Sequence, residues 1–62
     1  MDKRTFDNLQ RGERVTFTGS ILSWPAAGTS GEVRDVNPSG GWAHVQVGYE
    51  TVLVVPNDIN RA

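Results

Sequence analysis

The sequence predicts an all-β domain, a five-stranded barrel preceded by a short N-terminal helical turn. Short runs rich in Val, Thr and aromatic residues are separated by breaks that carry Gly, Pro or Asn, most clearly in residues 29–56. Several of these runs alternate apolar and polar residues, which is the period of a strand with one buried face. A meander in a chain of only 62 residues has to curl in order to bury those faces.

Length and composition indicate one domain over residues 1–62, with an N-terminal turn at 1–11 and the barrel at 12–62. Hydrophobic residues make up 37% and charged residues 21%, which is typical of a globular chain. Because the chain has no Cys and a single His, we expect no disulfide, no metal site and no cofactor. Stability then has to come from a compact apolar core or from a partner subunit that extends it.

Charge and hydropathy narrow the classes of partner. Six basic and seven acidic residues give a net charge of −1. This balance disfavours nucleic acid as the main partner, since affinity for a phosphate backbone comes largely from Lys and Arg. No segment approaches the roughly 20 apolar residues of a membrane helix, so no membrane partner is expected. The first residues lack the apolar centre of a secretion signal, and we predict a cytoplasmic protein.

The N-terminal turn is predicted from its capping residues. Thr5 is expected to cap a single helical turn that ends at Gly12, a residue type common just after a helix. Phe6 and Leu9 are three residues apart and are expected to close the open bottom of the barrel.

The first strand is predicted at residues 12–19, where Val15 and Phe17 alternate with polar residues. The loop at residues 20–28 is apolar where a solvated connection would be polar. We therefore expect it to fold over a barrel mouth or to form part of a binding surface. Its apolar residues are Ile21, Leu22, Trp24 and Pro25.

The second strand is predicted at residues 31–36 and is followed by a strong turn signal at 37–41. Val33 and Val36 fall on opposite pleats unless a bulge intervenes. The third strand, residues 42–47, has two distinct faces. Its expected inner residues are Ala43, Val45 and Val47, and its expected outer residues are Trp42, His44 and Gln46.

The fourth strand is apolar on both faces. Val52 and Val54 face one way, whereas Leu53 and Val55 face the other. A strand of this kind is normally covered on both sides. Leu53 and Val55 are therefore predicted to be covered by the N-terminal turn or to form an oligomer interface with another subunit. Asp58 is expected to cap a tight turn before a short terminal strand.

The turns and apolar spacing resemble those of prokaryotic SH3-like barrels. The resemblance is carried by Gly-Glu-Arg-Val at 12–15, Gly-Thr-Ser-Gly-Glu-Val at 28–33 and Val-Pro-Asn-Asp-Ile at 55–59, and it covers residues 12–61. It implies the five-stranded barrel and carries no functional signature.

Two peptide- or RNA-contacting families share this pattern. Trp42 and Pro56 correspond to positions that line the proline-peptide groove of Src-homology domains, although the acidic and Tyr-rich residues of that groove are absent here. Gly28, Gly31 and Val33 fit the spacing of KOW-type modules, which contact RNA or polymerase and are usually basic.

Two further families suggest assembly. The plasmid-borne, trimethoprim-insensitive dihydrofolate reductases share the Gly-acid-Arg-Val entry and form tetramers around a central pore. Their functional Gln and Tyr are replaced by Leu and Val in residues 52–56, so that activity is not predicted here. Small barrel subunits of photosynthetic and redox complexes act as docking surfaces without catalysis of their own.

No catalytic set is recognisable, and we predict that the chain is not an enzyme. The carboxylates are dispersed, and no Gly-rich loop precedes a helix. His44 is expected to be an exposed strand histidine, or else a hydrogen-bonding contact beside Trp42. Glu32 and Arg34 are expected to form a solvated ion pair.

The sequence favours an interaction module that binds another protein through an aromatic surface, typical of an accessory protein of a bacterium, phage or plasmid. One alternative is a nucleic-acid-binding barrel, in which Trp42 and Tyr49 stack on bases. The second is an oligomeric pore that holds a small ligand. The predicted partner-binding residues are Ile21, Leu22, Trp24, Arg34, Trp42, His44, Gln46 and Tyr49.

Overall fold

A computed structural model describes residues 1–19 and 24–62. These residues form a short helix and a five-stranded antiparallel sheet, so the all-β class and the strand number are confirmed. The strand order is β4-β3-β2-β1-β5, which leaves β4 and β5 at the two edges. The elements are α1 (Lys3–Asp7), β1 (Arg14–Phe17), β2 (Ser30–Asn37), β3 (Trp42–Val47), β4 (Glu50–Val54), a 3₁₀ turn (Pro56–Asp58) and β5 (Ile59–Arg61).

Asp2, and not Thr5, caps the helix. The Asp2 carboxylate accepts a hydrogen bond from the Thr5 backbone N–H at 2.9 Å, so Thr5 lies inside the helix that it was expected to begin. The helix also ends at Asp7, well before Gly12. Phe6 and Leu9, which were expected to close the bottom of a barrel, are both buried in the core, so they anchor the N-terminal segment to the sheet.

The first strand is shorter than predicted because glycines bend the chain at both ends. Gly12 and Gly19 have φ angles of +91° and +83°, in the left-handed region that a continuing strand does not use. Within Arg14–Phe17 the alternation is as expected, with Val15 and Phe17 buried.

A bulge in β2 reconciles its two valines. The register against β3 shifts between Val33 and Asp35, so Arg34 is the extra residue on the bulged strand. Val33 is therefore fully buried opposite Val45, and Val36 packs against the same core opposite Ala43. The sequence places the two valines on opposite faces of β2 unless a bulge intervenes, and the structure contains that bulge.

The core lies on one side of the sheet. A Cβ at Gly31 would collide with Val45 Cγ1 and lie 3.0 Å from the Gln46 carbonyl oxygen, so β2 and β3 pack closely here because Gly31 has no side chain. The buried apolar residues are Phe6, Leu9, Val15, Phe17, Val33, Ala43, Val45, Val54 and Ile59.

A capped turn connects β4 to β5, the strand that lies beside β1. The Asp58 carboxylate accepts a hydrogen bond from the Val55 N–H at 2.9 Å, which confirms Asp58 as a turn cap. β5 then pairs antiparallel with β1 as the expected short terminal strand. In the described part of the chain, no helix has the length and apolarity needed to span a membrane.

The Asp2 cap predicts an acid-sensitive contribution to stability. Hydrogen bonds from the Thr5 side chain and then from its backbone N–H lower the pKa of Asp2 below its ordinary value of 3.8. A lowered folded-state pKa stabilises the fold above the unfolded pKa, and this contribution is lost as the pH falls through the folded value. We expect Asp2→Ala to lower the free energy of unfolding at neutral pH, and the difference from wild type to shrink in strong acid.

Urea titration at several pH values measures this difference. Asp2→Asn is the matched control, because an amide oxygen still caps the helix but carries no charge. It should keep much of the neutral-pH stability. A difference between wild type and Asp2→Ala that stays constant into strong acid would contradict the assigned role of the carboxylate.

Candidate interaction surface

The side of the sheet opposite the core carries a row of side chains that crosses three strands. Asp35 of β2 pairs in register with His44 of β3, and His44 pairs with Leu53 of β4. Directly opposed residues have Cβ atoms about 4.5–5.5 Å apart, so their side chains are neighbours on one face. Trp42 lies two residues before His44 and shares that face.

Trp42 and His44 form a ring pair. Their ring centroids are 4.9 Å apart and their planes are tilted by 58°. That separation lies within the range of favourable aromatic contacts. Both residues are half-buried and alternate with the buried Ala43 and Val45, which confirms the predicted outer face of β3. The β2–β3 turn also lies against the indole, because a Cβ at Gly40 would collide with Trp42 Nε1 and lie 2.8 Å from Trp42 Cδ1.

Two exposed aliphatic residues extend this ring pair across β4. Leu53 is 56% exposed, and Val55 is 42% exposed. Val55 follows β4 with extended backbone (φ −119°, ψ 170°), so strand alternation places it on the side of Leu53. Trp42, His44, Leu53 and Val55 together are called the aromatic patch below. Their exposure shows that the N-terminal turn does not cover the outer face of β4, which removes one of the two covers expected for it.

The charges beside the aromatic patch have both signs. Asp35 Oδ2 lies 3.9 Å from His44 Nδ1. Glu32 Oε2 lies 3.9 Å from Arg34 Nη1, which confirms the expected solvated ion pair. Acidic and basic residues therefore occupy the same face of β2 and β3, and the basic residues are not segregated there.

The opposite end of this face is polar. A depression of about 210 Å³ lies where β1, β2 and β3 meet. Gln46, one of its lining residues, donates a hydrogen bond from Nε2 to the Gly48 carbonyl at 3.0 Å. Arg14 and Glu32 face each other in register across β1 and β2. The lining residues are Arg14, Ser30, Gly31, Glu32, Gln46 and Gly48.

The remaining predicted partner-binding residues are less tightly organised. Trp24 is 47% exposed and Tyr49 is fully exposed, so each is a surface side chain. Neither Trp24 nor Tyr49 takes part in the ring pair between Trp42 and His44. Ile21 and Leu22 lie outside the described residues.

Sequence reasoning missed Asp35 and Gly40. Asp35 faces His44 because the bulge at Arg34 shifts the register by one residue. The sequence signal for this shift is the three-residue spacing of Val33 and Val36, which places both on one face only if a bulge lies between them. The spacing does not say which residue forms the bulge. Gly40 was interpreted as a turn residue, and nothing in the sequence showed that the Trp42 ring would lie against it.

No metal-binding arrangement occurs in the part of the chain that the structure describes, since no group of three or more His, Cys, Asp or Glu side chains converges there. Comparison with protein-family models, with curated proteins and with solved structures finds no match. The function of the chain is therefore inferred from the geometry of this surface.

The contact between Gly40 and Trp42 predicts how the ring pair responds to a single methyl group. We expect Gly40→Ala to displace the indole and to disturb its contact with His44, because the new Cβ would overlap Trp42 Nε1. In proton–nitrogen NMR spectra the Trp42 indole N–H signal and the His44 ring signals should shift together.

Ser39→Ala is the control, since it alters the same turn without adding atoms against the indole. It removes a hydrogen bond from Ser39 Oγ to Asn37 Oδ1. Shifts in Gly40→Ala confined to residues 37–41, with His44 unchanged, would show that the two rings are not coupled.

Proposed function

We propose that this chain is a non-enzymatic interaction module that binds another protein through the outer face of β2, β3 and β4. The observation that supports this is the aromatic patch, where the Trp42–His44 ring pair lies beside the exposed Leu53. Aromatic and aliphatic side chains that are grouped on a surface mark interaction sites, whereas single exposed apolar residues are ordinary.

The patch has the parts of a binding surface. The rings and Leu53 offer apolar area that a partner can remove from water, and Trp is among the residues that contribute most to binding energy. Polar groups at its margin would set the orientation of the partner. The pair of Arg34 with Glu32 is exposed and worth less than about 1 kcal/mol, so Arg34 can turn to a carboxylate of the partner at little cost.

We also propose that the five-stranded sheet belongs to an SH3-like barrel of an accessory or regulatory protein. The strand order β4-β3-β2-β1-β5 and the long bulged β2 support this assignment. A bulge increases the local bend and twist of a strand, and curvature of this kind lets a short sheet wrap around its core.

The distribution of charge supports protein over nucleic acid as the partner. A nucleic-acid surface gathers Lys and Arg on the face that contacts the phosphates. Here the face that carries the aromatic patch also carries Asp35 and Glu32. Two of the other cations are paired with acids, since Lys3 contacts Asp7 at 2.9 Å and Arg61 contacts Glu13 at 3.0 Å.

Trp42→Ala tests the proposed surface. A photo-crosslinking residue at position 44 should capture a protein in extracts of the source cells, and the same residue at Asn60 on β5 should not capture it. Once that protein is purified, Trp42→Ala should weaken its binding by about 2 kcal/mol, or roughly 30-fold, as for a central aromatic contact. Calorimetric titration measures the change.

Asn60→Ala is the matched control on the opposite sheet edge and should bind like wild type, because Asn60 is exposed and far in strand order from the aromatic patch. Equal affinities for wild type and Trp42→Ala would show that the partner binds elsewhere.

The nucleic-acid alternative has its own measurement. We expect mixed-sequence single-stranded oligonucleotides to leave the Trp fluorescence unchanged at micromolar protein, because the patch lacks a segregated set of cations. The titration is repeated at low and high salt. Quenching that weakens as salt is added would favour nucleic acid and would contradict the proposal of a protein partner.

A further inference from the structure

The two edge strands of the sheet differ in how they are protected. β5 has three residues, exposes Asn60 and Arg61, and carries an ion pair between Arg61 Nε and Glu13 Oε2 at 3.0 Å. β4 has five residues, contains neither Lys, Arg nor Pro, and exposes Leu53. Soluble proteins protect edges by shortness, charge or proline, so β5 is protected in the usual way and β4 is not.

No strand of the described residues lies beyond β4. We propose that β4 pairs antiparallel with β4 of a second copy of this chain, with the two Leu53 side chains near the twofold axis. A twofold contact of this kind is isologous, because the same strand supplies both halves of the interface. This inference goes beyond the proposed partner binding and does not depend on it.

The pairing keeps each side-chain face continuous. With Leu53 opposite Leu53 of the second copy, Thr51 of each chain lies opposite Val55 of the other, and the alternation of the strand places all of them on the outer face. Apolar side chains directly opposed across an antiparallel pair stabilise the sheet. Leu53, which is exposed in the single chain, would thereby gain an apolar neighbour directly opposite, and the exposed Val55 would lie against Thr51 of the second copy.

Charge also favours the antiparallel arrangement. Glu50 is the only charged residue in β4 and lies at its first position. In an antiparallel pair centred on Leu53 the two Glu50 residues lie at opposite ends, six residues apart along the strand direction. At about 3.4 Å per residue this separation is roughly 20 Å. It exceeds the Debye length of about 8 Å at physiological salt, so their repulsion is screened.

The turn after β4 sets the length of the paired segment. The Val55 N–H donates to Asp58 Oδ2, and the Val55 carbonyl accepts from the Asp58 N–H, both at 2.9 Å. Pro56 has no N–H to donate. In the pairing centred on Leu53, Thr51 lies opposite Val55 and Glu50 lies opposite Pro56. New backbone hydrogen bonds are thus confined to residues 52–54, and Val55 contributes only its side chain.

Sedimentation equilibrium of the purified chain from micromolar to millimolar concentration tests the proposal. Wild type should reach twice the mass of a single chain.

Leu53→Lys should weaken association tenfold or more, because it places two like charges near the axis and removes the apolar contact. Leu53→Thr removes the apolar side chain but introduces a β-branched residue that favours strands, so it tests the contact even if Leu53→Lys disturbs the fold, and it should weaken association several-fold. Asn60→Lys places the same charge on β5 and should associate like wild type.

An isotope-filtered NOE experiment on mixed labelled and unlabelled chains locates the contact. Leu53 methyl groups should show contacts between chains. Two results would overturn the proposal: a monomeric wild type at every concentration, or a dimer that both Leu53 variants leave intact. Because the pure chain is used, failure here leaves the Trp42→Ala binding test unaffected, and failure of that test leaves the dimer unaffected.

Discussion

The register shift between Val33 and Asp35 determines the organisation of both faces of the sheet. Without it, Val33 and Val36 would point to opposite sides of β2, and a chain this small would lose one apolar residue from its core. With it, both valines pack on the core side, and Asp35 is moved into the row that contains His44 and Leu53. One inserted residue, Arg34, therefore determines both how the core is filled and which side chains surround the outer aromatic residues.

The outer face shows why a small sheet is prone to association. The core lies on one side of the sheet and includes Phe6 and Leu9 from the N-terminal segment. The opposite side has no helix or second sheet over it among the described residues, so Leu53 and Val55 stay exposed. Apolar area left on the outer face of an edge strand is where a small domain gains most from binding, whether to a copy of itself or to another protein.

Particular residues show where sequence reasoning reached its limit. Alternation in β3 correctly assigned Ala43 and Val45 to the core, because the side-chain period of a strand depends only on local geometry. The predicted helix cap was wrong because both Asp2 and Thr5 are residue types that cap helices, and the structure uses Asp2. The neighbours of Trp42, by contrast, are set by a turn glycine and a bulge, neither of which has a local signature specific enough to place a ring.

By itself, the sequence determined the all-β class, the order of the strands along the chain and the two faces of β3, since these follow from residue periods and turn chemistry. It also indicated that β4 is apolar on both sides. Only the tertiary structure decided which strands are edges, that Asp35 faces His44, and that the N-terminal turn leaves Leu53 exposed. Those outcomes depend on pairing between residues distant along the chain, and such pairing is fixed by the packing of the whole core rather than by any local pattern.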